Sequence, residues 1–266
     1  MLRLHLAYVD EWGWGAGIAV LVVAASIAAS AFILTWRQRR IRRQRMEQFA
    51  VARGFRFAAD DPLGDSLAAL PLMRQSTLQG GRNVVWGEQA GRQVMLFEYQ
   101  YSVGGGGRSI ACYHACCTWR LDGQLPLVAL RPKEFFDHVG DGFPEDSYVD
   151  VRTGDPPFDE TFHISGASPA MVRHVLGSEG QTFSPKAGSS LAVHNVLSEE
   201  MRAFILRSGI RYLEIDGDLV LLYRREHLTP ATAEWLLETA DGLNTMLQYL
   251  VTGQVTSAAV TRVKEV

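Results

Sequence analysis

Cysteine is scarce in this sequence: the three copies, Cys112, Cys116 and Cys117, lie within six residues of one another. An odd, clustered set does not form a disulfide framework, which excludes the class of small secreted domains held together by disulfides. We therefore expect the folded part of the chain to lie in a reducing compartment.

Motifs of the common catalytic sites are also lacking. The sequence contains no GxSxG nucleophile elbow, no HExxH zinc motif, no SxxK and no dinucleotide-binding fingerprint. The glycine run at 104–107 precedes Arg108 and a strand pattern, whereas a phosphate-binding loop needs a Lys and a following helix. The run therefore predicts a hairpin tip, and no cofactor is predicted.

Basic charge is sparse in the larger C-terminal part of the chain. Residues 57–266 contain 26 acidic and 17 basic residues, a net charge of about −9. Nucleic acids bind clustered Lys and Arg, so this balance predicts no nucleic-acid partner. The basic residues are instead concentrated at 37–56, where eight arginines accompany one acid.

Charged residues are absent from the stretch 16–36, AGIAVLVVAASIAASAFILTW. As a helix, its twenty-one residues would extend roughly 31 Å, about the thickness of the hydrocarbon core of a bilayer. Trp12, Trp14 and Trp36 flank it, as is common at membrane interfaces. The stretch predicts a transmembrane helix that contacts the lipid bilayer; a cleaved signal peptide and a buried core helix are the alternatives.

Arginines that follow the apolar stretch predict its orientation. The short N-terminal segment 1–15 holds Arg3 and His5 against Asp10 and Glu11. By the positive-inside rule, the C-terminal side stays in the cytoplasm and 1–15 is extracytoplasmic. The predicted location is the inner (plasma) membrane, with a single pass and with these residues as topology determinants: Arg37, Arg39, Arg40, Arg42, Arg43 and Arg45.

Small residues recur at four-residue spacing near and within the apolar stretch, as in Gly13 and Gly17 or Ala24 and Ala28. Such pairs allow two helix backbones to approach closely and favour a homodimer. An alanine-rich composition produces the same spacing without any dimer, and the sequence leaves both readings open.

Beyond the apolar stretch, the sequence predicts an arginine-rich juxtamembrane helix at 37–56, a cytoplasmic α+β domain at 57–253 and a loose tail at 254–266. Period-two patterns at 83–88, 93–102 and 109–121 indicate a meander of antiparallel strands. A shorter strand is expected at 125–130 and another near 162–164. Asp216-Gly217 predicts a hairpin between strands at 210–215 and 219–223.

Helix caps predict three further helices in the last hundred residues. Ser198 precedes a helix at 199–207 that Gly209 would end, and Thr229-Pro230 precedes an amphipathic helix that reaches Val251. A third helix would follow Ser168-Pro169 and end near Leu176. The predicted fold class is therefore α+β, with an antiparallel sheet of meander and hairpins packed against several helices.

The stretch 134–160 is strongly acidic and rich in proline and glycine. It predicts a loop with one helical turn near Phe135 and Phe136. Carboxylate oxygens suit calcium or magnesium, but the spacing of these acids matches no EF-hand. Cation binding by this stretch is therefore left open.

Three residues of one predicted strand, Cys112, His114 and Cys116, are the candidates for metal binding or nucleophilic chemistry. Alternate residues of a strand share a face, and zinc is bound by Cys and His. Their spacing of roughly 6.6 to 6.8 Å along a strand is too long for all three to share one ion easily. We therefore expect them to pack on a sheet face, with no metal and no catalytic role.

Four segments carry a resemblance to known sequences: the arginine run, GRQVMLFEYQYSVGGGGRS, LPLVALRP and IDGDLVLLYRREHLTP. Together they resemble a family of membrane-anchored bacterial proteins of unknown function. The resemblance covers most of 37–250 and implies an anchored α+β layout. It implies no activity, because the shared segments are strands, a glycine tip, a turn and a cap.

These observations favour a membrane-tethered binding or scaffold domain with an unidentified protein partner rather than an enzyme. A membrane-anchored enzyme, such as a hydrolase whose site is not recognisable as a motif, is the alternative. A pocket that holds His114 or another histidine beside a carboxylate with a perturbed pKa would favour the enzyme. A dry, closely packed domain with one exposed apolar patch would favour the scaffold.

The orientation can be tested with reporters fused after Val266. We expect green fluorescent protein to fluoresce and alkaline phosphatase to be inactive, because the arginines retain the C-terminal side in the cytoplasm. Replacing the six arginines of 37–45 with Gln should give a mixture of orientations. Active phosphatase on the wild-type chain would show that the predicted orientation is wrong.

Overall fold

A computed structural model describes residues 3–60, 72, 80–103, 110–133, 148–167 and 193–252 of the chain. The chain divides into two compact units, Met1–Arg45 and Met46–Val266. Several expected features lie outside the described residues: the glycine tip, the helical turn near Phe135, the helix after Ser168, most of the acidic stretch and the tail.

The first unit is formed by helix α1, which runs over Arg3–Ala52 and so extends past the unit boundary. It is long and apolar enough to cross a membrane, and its apolar window is exposed in the part of the chain that the structure describes. Exposed large side chains include Val20, Leu21 and Phe32. A core helix of a soluble protein would bury such a surface, so α1 is a candidate membrane span.

In its described residues, the second unit is an α+β fold built on one antiparallel sheet of seven strands. The elements follow one another as β1 (Arg56–Asp60), β2 (Gly80–Gln89), β3 (Arg92–Val103), β4 (Ile110–Pro132), β5 (Tyr148–Asp150), α2 (Pro156–Thr161), β6 (Phe162–Ala167), α3 (Glu199–Ser208), β7 (Tyr212–Arg224) and α4 (Pro230–Thr252). The predicted fold class is confirmed, including the meander of the first strands.

Strand β4 is the centre of the sheet. One of its edges pairs with β3 along the first half and with β6 along the second half, while β7 pairs with the opposite edge along both halves. Beyond β3 the sheet continues through β2 to β1, and beyond β6 it ends in β5. The strand expected at 125–130 is therefore the second half of β4 rather than a separate strand.

The predicted hairpin at Asp216-Gly217 is wrong, because β7 continues through these residues as one strand. Both halves of β7 pair with β4 rather than with each other. Gly217 has a φ of +63° and pairs with Leu125, at a point where the β4–β7 register shifts. A glycine with positive φ suits a β-bulge as well as a tight turn. By contrast, Ala90 and Gly91 form a tight turn between β2 and β3, and both residues have positive φ.

One face of the sheet packs against the helices, and we call it the first face. Its side chains form the main core together with those of the helices. The apolar positions of α4 recur at helical spacing, so one side of the helix packs onto this face. Helix α3 begins at its Ser198 cap and ends at Gly209 as expected. Helix α4 begins after Thr229, whose hydroxyl accepts a hydrogen bond from the Thr232 N–H.

The C-terminal end of α1 belongs to this core. Met46, Phe49, Ala50 and Phe55 are buried with the residues of the main cluster. Phe55 donates its backbone N–H to the Ala50 carbonyl, which ends the helix locally. These residues precede position 57, so a fragment that starts there lacks part of the core.

The sequence did not indicate two short elements in the region expected to be a loop. Strand β5 and helix α2 both lie within 134–161. Asp155 caps α2 and Pro156 follows at its first position. This is the same cap-and-proline signal that predicted α4, and it could have identified α2.

Residues 46–266 are expected to fold in water without the apolar span, and 57–266 to be clearly less stable. Removing Met46, Phe49, Ala50 and Phe55 exposes the surfaces that they cover, at a cost of roughly 1.5 to 3 kcal/mol for each large side chain. Urea unfolding of the two fragments, followed by circular dichroism, measures the difference.

A matched pair of substitutions in 46–266 tests the same packing. Phe49→Ala should lower the free energy of unfolding by about 3 to 5 kcal/mol, because Phe49 is buried. Val51→Ala should change it by less than about 0.5 kcal/mol, because Val51 is exposed. Equal effects of the two changes would contradict the described packing.

Candidate functional site

The three candidate residues of β4 are brought to one face of the sheet, as expected. Cys112 and Cys116 are buried in a second core cluster, on the face opposite the helices, and His114 between them is fully buried. Cys117 points to the opposite face and belongs to the main core. The alternation of the strand therefore separates Cys116 from Cys117, although they are adjacent in sequence.

His114 is surrounded by tyrosines rather than by metal ligands. Its Nε2 lies 3.0 Å from the Tyr101 hydroxyl, and its ring stacks on the Tyr101 ring with 5.3 Å between centroids. The rings of Tyr212 and Tyr223 approach it edge-on. Burial, assisted by the positive charge of Arg225, lowers the pKa of His114 to about 3. The imidazole is therefore neutral at physiological pH.

Two of the buried thiols, those of Cys116 and Cys117, are held in their protonated form. Burial raises the pKa of Cys117 to about 12, and burial together with Glu214 raises the pKa of Cys116 well above its usual value. The thiolate, not the thiol, is the nucleophile and the metal ligand. Within the described ranges no three His, Cys, Asp or Glu side chains lie close enough to hold a metal ion. The absence of a metal stays a prediction.

A buried ion pair lies on the same face of the sheet. Arg131 Nη2 donates to Glu214 Oε1 at 2.7 Å, and both side chains are at most 5% exposed. The Tyr223 hydroxyl donates to the same oxygen at 3.0 Å, and the Leu72 backbone N–H donates to the other oxygen. Burial and the nearby Glu214 raise the pKa of Tyr223 well above its usual value, so it remains a donor.

These side chains form one connected group, which we call the buried polar cluster: Tyr101, His114, Arg131, Tyr212, Glu214 and Tyr223. Arg131 and Glu214 were not identified from the sequence. The available signal was a charge next to strongly apolar residues of a strand, in VALR for Arg131 and YLEI for Glu214, because such a charge must find a partner when it is buried. The cluster joins β3, β4 and β7, and all of its members are buried.

A histidine and a carboxylate also meet on the first face of the sheet. His227 Nδ1 lies 3.0 Å from Glu98 Oε2, and the Leu228 N–H donates to the same oxygen. The Tyr113 ring is 4.2 Å from the His227 ring, between centroids. Glu98 is buried, whereas the His227 side chain is 38% exposed. The carboxylate fixes the orientation of an imidazole that solvent can reach. We call these two residues the histidine–glutamate pair.

Some acids of the stretch 134–160 have protein partners where the structure describes them. Asp155 accepts a hydrogen bond from Arg202 Nε at 3.0 Å. Asp159 accepts hydrogen bonds from the Thr153 and Gly154 backbone N–H groups, and these bonds lower its pKa although partial burial opposes the shift. These carboxylates stabilise the start of α2. Residues 134–147 of the stretch lie outside the described residues.

The buried ion pair should be strongly coupled. We expect Arg131→Met alone to cost about 3 to 5 kcal/mol, because it leaves the Glu214 charge buried without its partner. The double variant Arg131→Met, Glu214→Leu should cost much less than the sum of the single variants. Urea unfolding of 46–266 measures the coupling.

The exposed pair Arg120–Asp218, on the same two strands, is the matched control. Removing either of its charges should cost about 1 kcal/mol or less. Equal coupling energies in the two pairs would contradict the role of burial.

His114 should make stability depend on pH between about 6.5 and 3. In this range the unfolded chain binds a proton at His114 that the folded chain does not. Stability from this residue is therefore complete above pH 6.5 and falls as the pH is lowered, by about 2 kcal/mol between pH 7 and pH 5. His114→Phe keeps an aromatic ring but cannot titrate, so it should remove that part of the slope. An unchanged slope in urea unfolding would contradict the buried neutral histidine.

No protein-family model matches this chain, and no curated protein matches it. Among solved structures it is similar to the crystal structure of the mycobacterial trehalose monomycolate transport factor A, TtfA. The likeness covers 79% of this chain and 95% of that chain, with a TM-score of 0.52 and 14% sequence identity. At this identity the likeness shows the fold: this chain and the transport factor share the α+β architecture.

Proposed function

We propose that this chain is a membrane-tethered scaffold, in which α1 crosses the inner membrane at 16–36 and the α+β unit binds a protein partner in the cytoplasm. The observation that carries the proposal is a contrast in exposure. The apolar window of α1 is uncovered, whereas His114 and Glu214 are fully buried and Arg131 nearly so. The surface available for contacts thus includes the anchor but not the buried polar cluster.

The buried polar cluster supports a binding role rather than catalysis. A catalytic group must come within hydrogen-bond reach of a substrate atom, and a fully enclosed imidazole such as that of His114 cannot do so without local unfolding. Such clusters fix strand register and shape instead, since every member needs a specific partner. A rigid sheet with a defined outer surface is what a scaffold requires.

The likeness to a transport factor suggests the kind of partner. That protein is named for the transport of trehalose monomycolate, and its fold is shared here. We propose that the partner of this chain belongs to a transport system in the same membrane, where a tether at α1 raises the local concentration of the α+β unit. The proposed family of membrane-anchored bacterial proteins fits this placement, and a homodimer through the small residues of the span stays a prediction.

The histidine–glutamate pair favours the alternative, an anchored enzyme. The His227 imidazole is accessible to solvent, and Glu98 orients it as a carboxylate orients a general base. If the chain is a hydrolase, His227 is the residue on which activity depends. The scaffold proposal assigns the pair a structural task, since Glu98 also accepts the Leu228 N–H at the start of the segment leading into α4.

Complementation of a deletion strain distinguishes the two functions. We expect His227→Gln to restore the wild-type phenotype fully, and 46–266 without the span to fail although it is folded and abundant. An enzyme would give the opposite result for His227→Gln, with loss of function and normal membrane content. Restoration by the untethered fragment would overturn the proposed need for the anchor.

Copurification with a membrane transport protein gives an independent test of partner class. Chemical crosslinking in intact cells, followed by detergent extraction, should link the wild-type chain to one integral membrane protein in constant ratio. Crosslinks to soluble proteins alone would contradict a partner in the membrane.

A further inference from the structure

The arginines after the apolar window of α1 form a dense group of positive charge within the first unit. They lie within nine consecutive residues of a continuous helix that contain no acid. Five are exposed and Arg42 is partly buried. We call this group the arginine ring: Arg37, Arg39, Arg40, Arg42, Arg43 and Arg45.

The charges point in all directions around the helix axis. Successive residues of an α-helix are rotated by about 100°, so the six positions leave no gap wider than about 80° around the axis. A helix that lies flat on a membrane has one basic face and one apolar face. The observed distribution instead suits a helix that is surrounded by anions on every side.

The ring begins at the headgroup layer and extends a few ångströms beyond it. From Arg37 to Arg45 the helix rises about 12 Å, while a headgroup layer is about 5 to 8 Å thick on each side of the hydrocarbon core. The Arg40 guanidinium lies 5.6 Å from the Trp36 ring centroid. Because Trp prefers the interface, the first turn of the ring is at headgroup depth. The remaining arginines lie within about one Debye length of the headgroup charges.

The large C-terminal part of the chain does not attract anionic lipid. Residues 57–266 carry a net charge of about −9, which an anionic membrane surface repels. Guanidinium groups, in contrast, bind phosphate oxygens through two parallel hydrogen bonds. Recognition of anionic lipid therefore depends on the arginine ring.

We propose that the arginine ring binds the phosphate groups of anionic phospholipids and gathers them into a shell around α1. The inference rests on the proposed membrane placement of α1 and names a lipid partner for it. Its consequence is that the chain is enriched wherever the cytoplasmic leaflet is rich in anionic lipid.

Spin-labelled lipids in vesicles measure this shell directly. The full chain is reconstituted in phosphatidylcholine with trace phosphatidylglycerol or phosphatidylcholine, each labelled near the end of an acyl chain. The ratio of the motionally restricted fractions gives the preference of the protein for the anionic lipid. Orientation in the vesicle does not matter, because the ring meets a headgroup layer in either orientation.

We expect the wild-type chain to prefer phosphatidylglycerol over phosphatidylcholine about fivefold at low salt, which is the effect of one basic residue near the membrane surface. The preference should disappear as the salt concentration is raised. Replacing all six arginines of the ring with Gln should bring the ratio close to one, whereas replacing them with Lys should retain most of it. Arg207→Gln with Arg225→Gln, two exposed arginines of the α+β unit, should leave it unchanged.

A ratio near one for the wild-type chain, or an unchanged ratio in the Gln variant, would overturn the proposal while leaving the anchor intact. A chain that alkaline carbonate extracts from the vesicles, with no restricted lipid of either kind, would overturn the membrane placement itself and the lipid shell with it. The two failures are thus distinguishable.

Discussion

Backbone pairing along both edges of β4 is the constraint on which the second unit depends. The 23 residues of this strand bond to β3 and β6 on one edge and to β7 on the other. Each buried N–H and C=O group in such a strand needs a hydrogen-bond partner. The position of β4 therefore determines where its three neighbouring strands lie. The register shifts near Leu125 allow β4 and β7 to bend together without losing the pairing.

The alternation of side chains along β4 places apolar residues on one face of the sheet and polar residues on the other. Ala115, Cys117 and Trp119 point into the helical layer, which is almost entirely apolar. His114 points to the opposite face, and Arg131 joins it there because the register shifts near Leu125 reverse the alternation. Tyrosines contact His114 on this face, and Glu214 binds Arg131. The first face contributes stability through buried apolar area, while the side chains of the second face are held by directional hydrogen bonds.

Local signals predicted the elements well, and long-range contacts were not predictable. Ser198 and Thr229 were identified as helix caps because a cap depends on the next three residues. Asp216-Gly217 predicts a hairpin because a tight turn and a β-bulge both favour a glycine with positive φ. The sequence around Gly217 does not distinguish the two; the pairing of both halves of β7 with β4 does. Arg131 and Glu214 are 83 residues apart, and no local pattern links them. His227 could be matched to Glu98 only once β3 and the segment before α4 were placed.

The position of β7 in the chain has a consequence for synthesis on the ribosome. It ends at Arg224, about 90 residues after β4 ends at Pro132. Translation proceeds at about 5 to 20 residues per second, so the edge of β4 that pairs with β7 stays unpaired for roughly 5 to 20 s. An unpaired apolar edge is a template for aggregation between neighbouring nascent chains. Because α1 precedes every strand, an anchor inserted first would hold each ribosome at the bilayer and keep these edges apart until β7 arrives.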